Sequence, residues 1–489
     1  MWTWTGTRDN MTNRWGVFPL ARQDWTLSRR LSRTMTYKKC SPDLVRVCLL
    51  LAVTLLAPTA SAEWKEKVLY SFQSVPDGAT PVGAVVFDKA GNLYGATTEG
   101  GSSSCISLAQ CGTVYQLAPP VKQGDPWTET VLYIFKGNGS KDGASPAGGL
   151  VIDSLGNLYG TTAYGGTGNC VVLGTLMGCG TVFEMSPPKQ KGGKWTETVL
   201  YSFPTPKQGF LPQGDLVFDS AGNLYGATEF GGGHGTTCNS FYKYCGAVFE
   251  LSPPKTKGGK WTERTLHGFK SGEDGANPNG ALVLDSKGNI YGTTFGGGNE
   301  SGECGSVGCG TVFKLMKPTM KGGAWTEELL HRFNGQDGAS PTAGVVFGKN
   351  GNLFGTMSAG ATSGNGAVFD LAAPGGGGLW QENVLYRFSD GNDGTSPRGS
   401  LIFDATGNLY GTALGGATHR GVVFRLKPPK RGSSWPLSVL YNLAGSPDGD
   451  HPTATLRFDS KGNLYSTTEW GGTGQSCQGG CGTVFEVSP

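Results

Sequence analysis

Four short runs of apolar residues recur in the same order along most of the chain. The first run usually ends in Asp, as in GGLVID (residues 148–153). It is followed by GNLYGTT (156–162), by GTVFEM (180–185) and by WTETVLYSF (195–203). These runs are rich in β-branched and aromatic residues, and turns containing Gly, Pro, Asp and Asn separate them. The pattern predicts four short β-strands in each unit.

The GN[LI][YF] run marks the repeat. It begins at Gly91, Gly156, Gly222, Gly288, Gly351, Gly407 and Gly462, so there are seven units. Seven units of four strands predict an all-β fold, a seven-bladed β-propeller with four-stranded blades. The 82 glycines among 489 residues fit this prediction because such blades need many tight turns. One tryptophan precedes each fourth run, and we expect these residues to pack between blades: Trp64, Trp127, Trp195, Trp261, Trp325, Trp380 and Trp435.

The ends of the repeat region are complementary. Residues 63–72, EWKEKVLYSF, are a fourth-type run, and the last residues, CGTVFEVSP, are a third-type run. The seventh unit therefore lacks its outer strand, and the first residues of the repeat region supply one. Pairing the two would close the ring and remove an exposed strand edge. We accordingly predict that residues 63–489 form a single propeller domain in which the N-terminal strand completes the last blade.

Residues 1–62 have a different character. Residues 35–62 combine a basic start, an apolar run and an Ala-Ser-Ala end, which predicts a signal peptide cleaved between Ala62 and Glu63. Residues 1–34 precede this signal without any repeat, and we interpret them as a non-native upstream extension. The expected location is secreted, extracellular or at the cell surface, with no transmembrane segment in the mature chain. The first 62 residues carry nine basic and three acidic residues, so residues 63–489 have a net charge of about −3 and no nucleic-acid partner is expected.

The GNLYGTT and GTVFEM runs, repeated seven times over residues 63–489, resemble the GloVer tandem-repeat family of exported bacterial proteins. The arrangement is more distantly similar to the NHL propeller repeat. The resemblance implies an exported, surface-associated protein without a known activity.

Ten cysteines fall in five local pairs, each between the second and third runs of one unit. In an exported protein this pattern predicts disulfides that brace long loops. Zinc binding is the alternative, but the spacings match no zinc motif. The pairs are Cys105/Cys111, Cys170/Cys179, Cys238/Cys245, Cys304/Cys309 and Cys477/Cys481.

Candidate ligand-binding residues lie on the same predicted face as the cysteine loops. An Asp-Gly turn before the first run could supply a ring of carboxylates for calcium or sugar hydroxyls, although a stiffened turn is the alternative role. These aspartates are Asp77, Asp142, Asp274, Asp337, Asp393 and Asp448. Tyr164, Phe230 and Trp470 could stack on sugar rings or on a partner, or instead cover the cysteine loops. No cofactor other than calcium is predicted.

Three functions agree with these features. The leading hypothesis is a monomeric binding module for an extracellular glycan or an envelope protein. Because units five and six have the shortest loops on the cysteine face, we predict a notch there that admits the ligand. The second is an NHL-like enzyme, such as a metal-assisted lyase or lactone hydrolase, although no catalytic motif is visible and no catalytic residue is predicted. The third is a purely structural envelope protein.

Overall fold

A computed structural model describes residues 63–489 except 104–110, 123, 138, 173, 191, 233–244, 257, 300–303, 321, 376–379 and 431–433. The regular secondary structure of the described part of the chain is β-strand, apart from two 3₁₀ turns at Gly272–Asp274 and Gly305–Val307. It contains no helix with the length and apolar character required to cross a bilayer. The predicted signal peptide and upstream extension lie outside the described residues.

The first strand, β1 (Lys65–Ser71), is not part of the three blades that follow it in sequence. Blade 1 contains β2 (Ala79–Phe87), β3 (Leu93–Glu99), β4 (Thr113–Ala118) and β5 (Thr128–Ile134). Blade 2 contains β6 (Ala144–Pro146), β7 (Val151–Ile152), β8 (Leu158–Tyr164), β11 (Thr181–Ser186) and β12 (Thr196–Ser202), and the small hairpin β9 (Val171–Val172) and β10 (Thr175–Leu176) lies in its cysteine loop. Blade 3 contains β13 (Phe210–Phe218), β14 (Leu224–Phe230), β15 (Ala247–Ser252) and β16 (Thr262–Gly268).

The remaining four blades repeat this order. Blade 4 contains β17 (Val283–Leu284), β18 (Ile290–Thr294), β19 (Thr311–Met316) and β20 (Thr326–Arg332). Blade 5 contains β21 (Val346–Phe347), β22 (Leu353–Met357), β23 (Ala367–Ala372) and β24 (Gln381–Arg387). Blade 6 contains β25 (Thr395–Pro397), β26 (Ile402–Phe403), β27 (Leu409–Leu414), β28 (Val422–Leu426) and β29 (Leu437–Asn442). Blade 7 contains β31 (Arg457–Phe458), β32 (Leu464–Thr468) and β34 (Thr483–Ser488), with the short pair β30 (Gly449–Asp450) and β33 (Trp470–Gly471) beside it.

The first strand of the described chain completes blade 7. Strand β1 runs antiparallel to β34, in a register that pairs Lys65 with Ser488 and Ser71 with Thr483. Blades 1 to 6 have their strands in sequence order from the inside to the outside, and in blade 7 the N-terminal β1 takes the outer place. The prediction of a seven-bladed propeller closed by its N-terminal strand is confirmed.

The hydrophobic core lies between blades rather than within them. A fully buried Phe at the end of a fourth strand contacts an aromatic ring on the third strand of the next blade, as Phe135 contacts Phe183 with 5.1 Å between ring centroids. The predicted tryptophans also pack between neighbouring blades. The ring of Trp195 in blade 2 lies 5.7 Å from that of Tyr94 in blade 1, between centroids. We call each contact between consecutive blades a seam and name it by its two blade numbers.

The turn between the first two strands shows why the repeat is so uniform. Asp153 accepts hydrogen bonds from the backbone N–H groups of Leu155 and Asn157 at 2.8 and 2.9 Å. Its second oxygen accepts bonds from the Asn157 amide at 2.8 Å and the Tyr159 hydroxyl at 3.2 Å. Gly156 has a φ of 87°, a conformation that favours glycine. The Asp, Gly, Asn and Tyr of this unit therefore form one hydrogen-bonded turn, and the same four residue types recur in every unit except the fifth.

Candidate functional site

The six predicted aspartates lie in the seams, each beside the end of a fourth strand. In seam 7/1, the Tyr70 hydroxyl donates to Asp77 at 2.6 Å, and the Gln73 N–H lies 3.1 Å from both carboxylate oxygens. The other five occupy equivalent places: Asp142 (2.6 Å from the Tyr133 hydroxyl), Asp274 (3.3 Å from His267 Nε2), Asp337 (3.0 Å from His331 Nε2), Asp393 (2.9 Å from the Tyr386 hydroxyl) and Asp448 (3.1 Å from the Tyr441 hydroxyl). Each carboxylate thus belongs to its own loop, and calcium binding by these residues stays a prediction.

A glutamate from the following blade completes most seams. Glu129 lies two residues after Trp127, and its Oε1 atom is buried without a hydrogen-bond partner among the described residues. Burial and the nearby Asp77 raise the pKa of Glu129 to about 7. Three further glutamates occupy the same position in their blades, and their pKa values are raised chiefly by burial: Glu66 to about 8, Glu197 to about 7 and Glu382 to about 7.

Two seams lack part of this set. In seam 2/3, Gln208 stands in the place of the aspartate, and in seam 5/6, Leu437 stands in the place of the glutamate. Sequence reasoning missed the role of the glutamates, although an alignment of the residue two positions after each tryptophan would have shown them.

The three rim aromatics differ in exposure. Trp470 is 41% exposed and packs on the His451 ring at 4.1 Å between centroids. Tyr164 and Phe230 both contact Phe210, at 6.3 and 6.4 Å, and belong to a core cluster that includes Cys170 and Cys179. Tyr164 and Phe230 therefore cover a disulfide loop, while Trp470 presents part of its ring to solvent.

The cysteine loops contain disulfides. Three predicted bonds are present, Cys170–Cys179, Cys304–Cys309 and Cys477–Cys481. Cys111 and Cys245 are also disulfide-bonded. Their predicted partners, Cys105 and Cys238, lie outside the described residues.

The central channel contains departures from the repeat that sequence reasoning did not identify. The first strands and the turns before them, from all seven blades, line a cavity of about 120 Å³. Most positions there are Gly, Ala or Thr, but blade 3 contributes Asp215 and blade 6 contributes Arg398. Burial raises the pKa of Asp215, while the Arg457 guanidinium and a 2.6 Å hydrogen bond from the Gly149 N–H act in the opposite direction. An alignment of the first strands would have shown these charges.

A second departure from the repeat creates a larger pocket in seam 5/6. In blade 5, Gly348 replaces the Asp of the first turn, and Phe354 replaces the Tyr that bonds to it in the other blades. A cavity of about 340 Å³ lies at this place. A Cβ atom on Gly348 would lie only 2.5 Å from the Phe354 ring. This ring therefore occupies part of the space that the Asp side chain takes in the other blades.

The walls of the seam 5/6 pocket are aromatic and its edge is polar. Phe347 and Phe354 line it from blade 5, and Phe403 and Trp435 line it from blade 6. Phe354 packs edge-on against both blade 6 rings, at 5.1 and 6.0 Å between centroids. Polar residues complete the lining: Lys349, Asn350, Asn352 and Thr406.

Two contacts fix the edge of this pocket. The Lys349 ammonium donates to the Ala405 carbonyl across the seam at 2.9 Å, and the Asn352 amide donates to Asp370 at 3.0 Å. The lining comes from the turn between first and second strands and from the hairpin between third and fourth strands. In an up-and-down blade these connections share one face, opposite the cysteine loops. The pocket is thus between blades 5 and 6, whose loops on the cysteine face are the shortest and contain no cysteine, but it lies on the other face from the predicted notch.

Three overlapping stretches, residues 55–302, 170–377 and 302–489, match the family model of the Gloeobacter/Verrucomicrobia repeat. The chain belongs to this repeat family. A comparison with curated protein sequences found no match.

Several solved structures are similar to this Gloeobacter/Verrucomicrobia repeat protein. One is a protein of unknown function from Dyadobacter fermentans, with 14% identity, 77% of this chain and 98% of that chain covered, and a TM-score of 0.39. Another is a putative oxidoreductase (glucose dehydrogenase) from Thermus thermophilus, with 14% identity, 87% and 100% coverage, and a TM-score of 0.38. A luciferin-regenerating enzyme has 10% identity, 87% and 96% coverage, and a TM-score of 0.39.

A site that occurs once in a Gloeobacter/Verrucomicrobia repeat protein must differ in its residues from the corresponding places of the other units. The channel charges and the seam 5/6 pocket both meet this condition. The pocket is the better candidate because it combines volume, apolar walls and a polar edge.

Proposed function

We propose that the protein is a carbohydrate-binding propeller, and that the seam 5/6 pocket holds a pyranose ring of an extracellular glycan. The observation that carries this proposal is the loss of the Asp–Tyr pair at Gly348 and Phe354, which leaves an aromatic-walled cavity of about 340 Å³. This volume falls in the range of about 300–1,000 Å³ that is typical of small-molecule sites.

The chemistry of the lining fits a sugar. A pyranose ring has apolar C–H faces and polar hydroxyl edges, so it packs on an aromatic face while its hydroxyls reach hydrogen-bonding groups. Trp435 and Phe354 supply the apolar surface, and Asn350, Thr406 and Lys349 supply polar atoms at the edge. An enzyme of the NHL-like kind would instead need several inward-facing carboxylates or histidines. Among the described residues that line the channel, Asp215 is the one carboxylate, and this does not favour that alternative.

A glycan array probed with the purified full chain tests the proposal. The decisive variant combines Gly348→Asp with Phe354→Tyr, which supplies the Asp and Tyr of the other blades and narrows the cavity once the ring has moved away from the new Cβ atom. We expect this variant to lose binding, and its thermal unfolding temperature shows whether the chain folds after this shift of the ring. The matched control, Tyr159→Phe alone, removes the corresponding hydroxyl in blade 2 but keeps the Asp153 side chain in place, and it should bind as the unaltered chain does.

A second pair of variants isolates the aromatic wall. Trp435→Leu removes the stacking surface and should weaken glycan binding about two- to tenfold, since an aromatic contact contributes roughly 0.5–1.5 kcal/mol beyond its buried area. Trp195→Leu makes the same change in seam 1/2 and should leave affinity unchanged. Binding that survives both the refilled pocket and Trp435→Leu would place the glycan elsewhere, and an array without any bound glycan would remove the proposal.

A further inference from the structure

Seam 3/4 contains a cluster of one histidine and two carboxylates. Among the described residues, no other seam brings such a group as close together. His267 at the end of β16 replaces the usual tyrosine, Asp274 follows on the turn, and Glu327 comes from β20 of blade 4. The His267 Nε2 atom lies 3.3 Å from Asp274 Oδ1 and 3.9 Å from Glu327 Oε2. One donor atom from each residue lies within 4.8 Å of the other two.

Two of these residues have unsatisfied polar atoms. His267 Nε2 and Glu327 Oε1 are buried and have no hydrogen-bond partner among the described residues. Asp274 lies against both of them and is also held by its own turn, because the Lys270 N–H donates to its Oδ2 atom at 2.7 Å. Its Oδ1 atom is the one that faces the imidazole.

The neighbouring seam provides an internal comparison. In seam 4/5, His331 also replaces the tyrosine, but its Nε2 atom forms a hydrogen bond of 3.0 Å with Asp337. Asp337 accepts further bonds from the Asn334 backbone and amide at 2.8 and 3.1 Å. The histidine of seam 4/5 is therefore satisfied by its own turn, while that of seam 3/4 is not.

We propose that His267, Asp274 and Glu327 bind a divalent first-row transition metal, with Zn²⁺ as the representative ion. One imidazole nitrogen with two carboxylates is a ligand set that zinc accepts, and calcium, which prefers oxygen ligands alone, fits it poorly. Ligand atoms around a tetrahedral zinc lie roughly 3.3–3.6 Å apart because each bond is about 2.0–2.2 Å long. The two distances from His267 Nε2, 3.3 and 3.9 Å, are close to this separation.

The partial exposure of the three side chains agrees with an open site. The three side chains are 16%, 18% and 14% exposed, which leaves a fourth coordination position for water or for a ligand atom. The nearby cations are Lys270 and Arg332, which act on the Glu327 carboxylate from exposed positions. A metal with three protein ligands and one open position either fastens blade 3 to blade 4 or receives a further donor from outside.

Zinc binding to the full chain, purified without a polyhistidine tag, tests the proposal by equilibrium dialysis and thermal unfolding. We expect one zinc ion to bind through the residues of this seam. This ion should raise the unfolding temperature, because a ligand that binds the folded state stabilises it. His267→Tyr introduces the residue that five other seams carry and should weaken this binding at least about tenfold. His331→Tyr makes the same change one seam away and should bind as the unaltered chain does.

A second variant covers the case in which His267→Tyr fails to fold. Glu327→Gln removes a carboxylate with little change of shape and should also weaken zinc binding at least about tenfold. Unfolding temperatures without zinc identify the variants that fold. Unchanged binding in either folded variant, equal losses in His331→Tyr, or an unaltered chain that binds no zinc would each overturn the proposal.

Discussion

The hydroxyl groups of Tyr70 and Tyr201 occupy equivalent places in their seams but have different partners. The Tyr70 hydroxyl donates to the buried carboxylate of Asp77 at 2.6 Å. The Tyr201 hydroxyl lies 3.4 Å from Glu263, because Gln208 replaces the aspartate in seam 2/3. Hydrogen bonds to a buried charge contribute more to stability than long bonds to a half-buried group. The value of the repeated tyrosine therefore depends on one residue seven positions away.

This difference predicts unequal effects of the same substitution. Tyr70→Phe should lower the free energy of unfolding by about 1.5–3 kcal/mol, the usual range for a hydrogen bond to a charged group. Tyr201→Phe should lower it by less than about 0.5 kcal/mol. Urea denaturation of the two variants beside the unaltered chain measures both values. Equal losses would show that the aspartate does not determine the contribution of the hydroxyl.

At the scale of elements, the ring depends on a strand that lies far from its partner in sequence. Strand β1 supplies the outer edge of blade 7, and residues beside it join two further blades. Trp64 packs against Tyr410 of blade 6 at 6.3 Å, and Phe72 packs against Tyr115 of blade 1 at 5.0 Å. Removing this segment would expose the edge of β34 and open two seams. An exposed edge of this kind promotes pairing between chains.

Two truncations test the closure. A chain of residues 63–489 keeps β1 and should elute as a single monomeric species in size-exclusion chromatography. A chain of residues 73–489 lacks β1, Trp64 and Phe72, and should form oligomers or aggregates with a lower unfolding temperature. A monomeric, equally stable shorter chain would show that blade 7 does not need its fourth strand.

At the scale of the whole molecule, the features that repeat could be predicted from sequence and the departures could not. The GN[LI][YF] run, the tryptophans and the complementary ends predicted seven blades and their closure, because each satisfies a local requirement of strand or turn. The predicted aspartates lie in the turns before the first strands, and their role as ligand-binding residues stays a prediction. Their partners were not predicted, because Glu129 reaches Asp77 only when blades 7 and 1 pack together.

The pocket and the channel charges escaped prediction for a related reason. Gly348 and Phe354 each read as ordinary turn and strand residues, and only the absence of the hydrogen-bonded pair between two packed blades forms a cavity. Asp215 likewise reads as an ordinary strand residue until the channel brings it near Arg457. In a repeat protein, the most informative positions are those at which one unit differs from the other six.

The seam glutamates also determine how the whole ring responds to pH. Burial raises the pKa of Glu129, Glu197 and Glu382 to about 7 and that of Glu66 to about 8, all above the usual 4.5. The folded state therefore holds more protons than the unfolded state between pH 4.5 and about 8. A raised acid pKa stabilises the folded state below the unfolded pKa, and this contribution is lost as pH rises through the folded pKa.

We accordingly expect the unfolding temperature to fall as pH is raised from 6, most steeply near pH 6, where the folded state holds the largest excess of protons, and to level off above about pH 8, where these glutamates have ionised. Differential scanning calorimetry across this range measures the effect. Glu129→Gln combined with Glu197→Gln removes two of the groups and should flatten the pH profile, since glutamine does not titrate. Glu63→Gln and Glu273→Gln change glutamates outside this set and should leave the profile unchanged. A profile that is flat in the unaltered chain, or as steep in the seam variant, would show that the glutamates are already ionised at pH 6.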